Sequence, residues 1–142
     1  MKFARGLNIY QACVPDRMHH IDLGLFKYQL DFTQQILKEV RGTKLQRKFD
    51  RHLREIPRFS GLKLFNKLGK LKLMTTADHR NLMKIVLFAI DNIFDIWNQV
   101  TCIRLCKLFE SFSKMYIMSR QVAYTETDLE NFKVILLVLV KF

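Results

Sequence analysis

Residues 75–97 read TTADHRNLMKIVLFAIDNIFDIW, and this stretch decides the fold class. Thr75 with Asp78 three residues on is the reciprocal pattern that caps the start of a helix. Behind it, Leu82, Ile85, Val86, Ala89, Ile90 and Ile93 recur at spacings of three and four. Phe88, Ile96 and Trp97 widen the apolar surface to more than half the circumference. A helix apolar on that many sides has to be surrounded by other elements. The stretch therefore predicts a helix over 75–97 at the centre of an all-α core.

Working outward, residues 16–40 read as a helix with Met18, Ile21, Leu25, Tyr28, Phe32, Ile36 and Val40 on one stripe. Gly42 is its stop. Gly24 lies inside the pattern, which marks close packing or a short break there. Residues 43–55 (TKLQRKFDRHLRE) form a second, basic helix on Leu45, Phe49 and Leu53, and Pro57 ends it. Residues 58–74 hold Gly61 and Gly69 and no helical period, and read as a loop with short local structure. A further helix covers 100–118. Thr127 with Glu130 is expected to open the last one, over residues 129–140, after a turn at 124–126. Upstream, residues 7–14 (LNIYQACV), stopped by Pro15, read as a short extended segment. The expected fold is about five helices in an irregular bundle behind that segment.

Composition agrees. The chain has 142 residues, 49% apolar and 12% aromatic, enough for one domain with its own core and too apolar for a disordered tail. Five Gly and two Pro are too few for a loop-rich β-sandwich. Three scattered Cys (Cys13, Cys102, Cys106) make no disulfide framework and fit a reducing, intracellular setting. The first ten residues show no apolar secretory core. The longest apolar run, 134–140, is seven residues, against roughly 20 for a membrane span. The apolar last helix instead offers a surface for self-association.

The net charge is +11, and it is uneven: residues 1–74 carry sixteen bases and six acids, residues 75–142 eight and seven. Such a balance points to polyanionic partners, DNA first. Residues 38–72 concentrate twelve bases against three acids. Lys44, Arg47, Lys48, Arg51, Arg54, Arg58, Lys63 and Lys67 are the candidate phosphate contacts, with Phe49, Phe59 and Phe65 interleaved. No helix-turn-helix or zinc-finger signature accompanies them, so nonspecific phosphate binding is the expected form.

Residues 15–25, PDRMHHIDLGL, are the most informative phrase. Asp16 after Pro15 suits a helix N-cap, and His19 and His20 suit partly buried first-turn positions. Asp16, His19, His20 and Asp22 are also donor types that bind divalent cations, but no HExxH or CxxC frame supports them, and no metal site is expected. Cys102 and Cys106 share a helix face and read as buried structural thiols. There is no phosphate-cradling glycine loop and no GxSxG, so a catalytic enzyme is the weakest class.

The same phrase resembles the characteristic block of fungal Plavaka-type transposases, relatives of the CACTA group. Residues 56–65 (IPRFSGLKLF) and 118–129 (MSRQVAYTETDL) fit that family in order, so the resemblance spans nearly the whole chain. It implies an RNase H-like DDE core interrupted by a helical insertion. Asp16 and His19 match the family's Asp-x-x-His signature. Residues 1–15 would then end the sheet, and 16–142 would be the insertion. The catalytic aspartates and glutamate are implied outside this stretch, so no complete catalytic set is expected in it. Mg²⁺ or Mn²⁺ would belong to the intact relatives and not to this chain. The resemblance thus implies a transposase fragment without strand transfer of its own, nuclear if functional, and able to hold DNA phosphates. The other reading of the residues is a small independent basic helical module that binds DNA or a protein partner.

Overall fold

The computed structural model describes residues 16, 18–65, 67, 68, 73–94 and 99–141. The expected extended segment at 7–14, Cys13 and Trp97 lie outside the described residues. Among the described residues the fold is all-α with no strand. Helix α1 (Met18–Leu25) is wound wide, in π fashion, and passes without a break into α2 (Phe26–Arg41). Then follow α3 (Thr43–Glu55), α4 (Thr76–Ile90), α5 (Gln99–Met118) and α6 (Glu126–Val140).

Two glycines shape the first half. A Cβ at Gly24 would fall 2.8 Å from the His19 carbonyl oxygen, so the wide winding of α1 needs a residue without one. Gly42 has φ +58°, and its N–H donates to the Lys38 carbonyl at 2.8 Å. That left-handed residue ends α2 and lets α3 fold straight back.

Helix α4 is the hub, packing on α1, α2, α3 and α5, while α6 packs chiefly on α5. Phe26 sits in the middle of the core. Its ring stacks on Phe112 at 5.7 Å and meets Phe109 and His79 edge-on at 6.1 and 6.3 Å. Such aromatic contacts add to the area buried. His79 is fully buried, and its Nδ1 donates to the Thr75 carbonyl at 2.9 Å. From α3, the stripe Leu45, Phe49 and Leu53 closes the core, as its spacing predicts. From α5, Cys102, Leu105, Phe109, Phe112 and Met115 do the same.

Four expectations are corrected. The buried face of α2 is Phe26, Leu30, Thr33 and Leu37, and Leu25, Tyr28 and Phe32 of the expected stripe are exposed, because the wide winding of α1 shifts the register. The central helix stops at Ile90, not at 97, because Asn92 turns left-handed with φ +52°. Ile93 and Phe94 stay buried beyond it, so the apolar pattern continues after the helix has ended. The last helix opens at Thr125 with Asp128, not at Thr127 with Glu130. Thr125 has the extended backbone a cap requires, and its hydroxyl accepts from the Asp128 N–H at 3.2 Å. His19 and His20 are exposed and not partly buried, because the winding of α1 turns Asp22 inward instead.

Candidate nucleic-acid interface

Helix α3 buries one narrow stripe and leaves the opposite face to its bases. Lys44, Arg47, Arg51 and Arg54 share that exposed face at helical spacing. Around the α2–α3 turn, Arg41, Lys44, Arg47, Lys48, Arg51 and Arg54 line a concavity of about 620 Å³. Thr43 and Leu45 complete its wall, and no carboxylate lines it. Glu55 reaches Arg51 at 3.8 Å, an exposed pair that neutralises little.

Five of the eight expected phosphate contacts are brought together there: Lys44, Arg47, Lys48, Arg51 and Arg54. Arg58 is exposed on the following loop and does not line the concavity. Lys67 lines a separate hollow, with Asp50 and Gln34 also in its wall. Lys63 is committed within the fold: its Nζ donates to Asp78 Oδ1 at 2.6 Å. That bond, with the capping hydrogen bonds from Thr75, lowers the Asp78 carboxyl to about 2. Lys48 has a structural duty as well. Its Nζ donates to the carbonyls of Asn92 and Ile93 at 2.6 and 2.9 Å, satisfying the chain end that leaves α4. Arg41 is the member the sequence reading missed. Its signal was its place in the last turn before Gly42, which folds α2 and α3 onto one another. Of the interleaved aromatics, Phe49 underlies the bases as core, whereas Phe59 is exposed.

The Asp16 cluster sits at the opposite end of the first helical arm. Oδ1 of Asp16 accepts from the N–H groups of Met18 and His19 at 2.9 and 3.3 Å. Oδ2 accepts from His19 Nδ1 at 2.5 Å, and the Asp16 carbonyl accepts from His20 Nδ1 at 2.9 Å. The hydrogen bonds from His19 hold the Asp16 carboxyl below its usual range. This is a helix cap closed on both carboxylate oxygens. Asp22 does not join it. It is fully buried, and its Oδ2 accepts from Arg80 Nε at 2.7 Å.

Among the described residues, no three of His, Cys, Asp and Glu gather in a way that could hold a metal ion. The Mg²⁺ or Mn²⁺ of two-metal phosphoryl transfer needs several converging carboxylates. Asp16 and His19 do not supply them. Cys102 and Cys106 are structural. Cys102 donates to the Ile90 carbonyl at 3.5 Å, and burial, with Cys102 beside it, pushes the Cys106 thiol up to about 12. A protonated, half-buried thiol is a poor nucleophile and a poor ligand. No helix among the described residues is long and apolar enough to cross a membrane. Compared with protein-family models, curated proteins and solved structures, the chain matches none of them.

Proposed function

We propose that this chain is a helical fragment of a DDE-type DNA transposase that grips nucleic-acid phosphates through α3 and carries no strand transfer of its own. The concavity with six bases and no acid in its lining carries this reading. Phosphate contacts by Lys and Arg release counterions, which supplies affinity without reading sequence. The transposase side rests on the resemblance of residues 15–25, in which Asp16 and His19 match the Asp-x-x-His signature. Nuclear location follows from that role.

The test compares the chain with Arg47→Glu, Arg51→Glu and Arg54→Glu combined. Lys48 is left alone because it holds the end of α4. Anisotropy of a labelled duplex of arbitrary sequence is measured at rising salt, on chains that melt cooperatively. The triple variant is expected to lower the slope of log affinity against log salt by about 3, with an unchanged melt. An unchanged slope overturns the reading.

A second reading rests on α6. None of its residues is buried, and Val134, Leu137 and Val140 are among its exposed apolar side chains. As a protein-interaction module the chain would self-associate through that face. Sedimentation would then show oligomers that dissociate on dilution and disappear when Val134 and Leu137 are made Ser. A monomer at all concentrations removes this reading.

A further inference from the structure

Helices α4 and α5 leave a groove between them. It has a volume of about 570 Å³, within the range of pockets that take small organic ligands. Its apolar wall includes Leu87, Phe88 and Ile117, and Phe88 and Ile117 are 66% and 67% exposed. Arg80, Lys84 and Arg120 stand along the same groove, and no carboxylate lines it.

The cationic side is built, not scattered. Arg120 Nη1 donates to the Tyr116 hydroxyl at 3.1 Å, and its guanidinium lies 5.6 Å from the centre of the Tyr116 ring. Arg80 is fixed from behind by the buried Asp22, which takes its Nε. Tyr116 is also within electrostatic reach of the Arg80 guanidinium, and both line the groove. Asp22 offsets one of the three charges, which leaves the groove net positive beside its apolar wall.

We propose that this groove binds a long-chain carboxylate, the head between Arg80 and Arg120 at the Tyr116 hydroxyl and the chain along Leu87, Phe88 and Ile117. Guanidinium pairs carboxylate through two parallel N–H donors, which gives the head its place. The aliphatic chain covers apolar surface that otherwise faces water. The site is separate from the α3 concavity and does not depend on how that concavity is used.

Titration calorimetry with dodecanoate below its micellar range tests it, with dodecanol and acetate as the uncharged and tail-less probes. Dodecanoate is expected to saturate at one per chain, well ahead of either. Lys84→Gln with Arg120→Gln changes two exposed side chains and leaves the Asp22–Arg80 pair in place. This variant is expected to bind dodecanoate about tenfold more weakly or worse, as for losing a charged hydrogen bond. The α3 triple variant is expected to bind as the parent chain does. Absence of saturation, equal binding of dodecanol, no loss in the double variant, or an equal loss in the α3 variant each overturns the proposal. The last result would mean that the carboxylate is held by general positive charge.

Discussion

Helices α4 and α6 are each fifteen residues long, and each starts at a threonine joined to an aspartate three residues on by two reciprocal hydrogen bonds. Eight residues of α4 are buried and none of α6. Yet α6 carries the longest apolar run in the chain, residues 134–140. The caps are alike and the apolar content is alike, so neither decides burial. Neighbours decide it: α4 touches four other helices, and α6 rests chiefly on α5 through Phe132, Ile135 and Leu139. A capping box fixes where a helix begins, and packing of a face fixes how much that helix is worth.

The largest test of that contrast is to cut one large side chain from each helix. Leu82 is fully buried in α4, and Leu137 is 63% exposed on α6. Leu82→Ala is expected to destabilise by about 2–5 kcal/mol, through lost burial and a cavity the packed core cannot close. Leu137→Ala is expected to stay within about 0.5 kcal/mol. Thermal melts at two protein concentrations decide it. A loss above about 1 kcal/mol for Leu137→Ala that grows with concentration would mean that a second copy covers α6.

The same two helices show how far the sequence could be read. The start of α4 was legible, because Thr75 and Asp78 form the only capping frame there and the apolar period follows at once. The start of α6 was legible only to within two residues. Residues 125–130, TETDLE, hold two overlapping frames, and the spacing alone does not rank Thr125–Asp128 above Thr127–Glu130. The end of α4 was missed because Ile93 and Phe94 keep the apolar pattern beyond it. Periodicity registers burial and not a backbone turn, and the sign of the turn was Asp91–Asn92, residues that tolerate left-handed backbone. At the candidate interface, the four exposed bases on α3 were legible from helical spacing. The commitments of Lys63 to Asp78 and of Lys48 to the end of α4 were not, since they span 15 and 44 residues of chain. The same holds for Asp22 and Arg80, 58 residues apart, which build the back of the α4–α5 groove.

The next test sets the two capping aspartates against each other in acid. Lys63 holds the Asp78 carboxyl at about 2, whereas Asp128 is lowered through its bonds to Thr125, with no cation among the causes. The sign follows from where the proton binds more weakly. The folded carboxyl of Asp78 titrates below its unfolded value of 3.8, so its stabilisation is full above about pH 4. It is lost as pH falls toward 2. Lys63 is 60% exposed, so solvent screening reduces the contribution to the order of 1 kcal/mol. Asp78→Asn is expected to lower the melting temperature at pH 6 and to flatten its fall between pH 4 and pH 2. The same change at Asp128, whose carboxyl is lowered only by its bonds to Thr125, is expected to flatten that fall less. Two parallel acid profiles would mean that the Lys63 bond adds nothing to the cap.

The smallest effect is the sharpest, because it changes the feature the two helices share. Thr75→Ala and Thr125→Ala each remove a cap hydroxyl, a loss of about 1 kcal/mol to the helix concerned. Opening the first turn of α4 disturbs buried Asp78 and His79, so the loss is shared by the whole core. Thr75→Ala is therefore expected to lower the global melt by its full value. Opening the first turn of α6 exposes nothing that was buried. Thr125→Ala is expected to move the melt by only a few tenths of that and to speed amide exchange across residues 126–132 instead. If Thr125→Ala lowers the global melt as far as Thr75→Ala, α6 unfolds together with the core. The half-buried contacts of Phe132, Ile135 and Leu139 on α5 would then be strong enough to bind it there. Burial at α6 would have to be counted from those three side chains and not from the bare outer face.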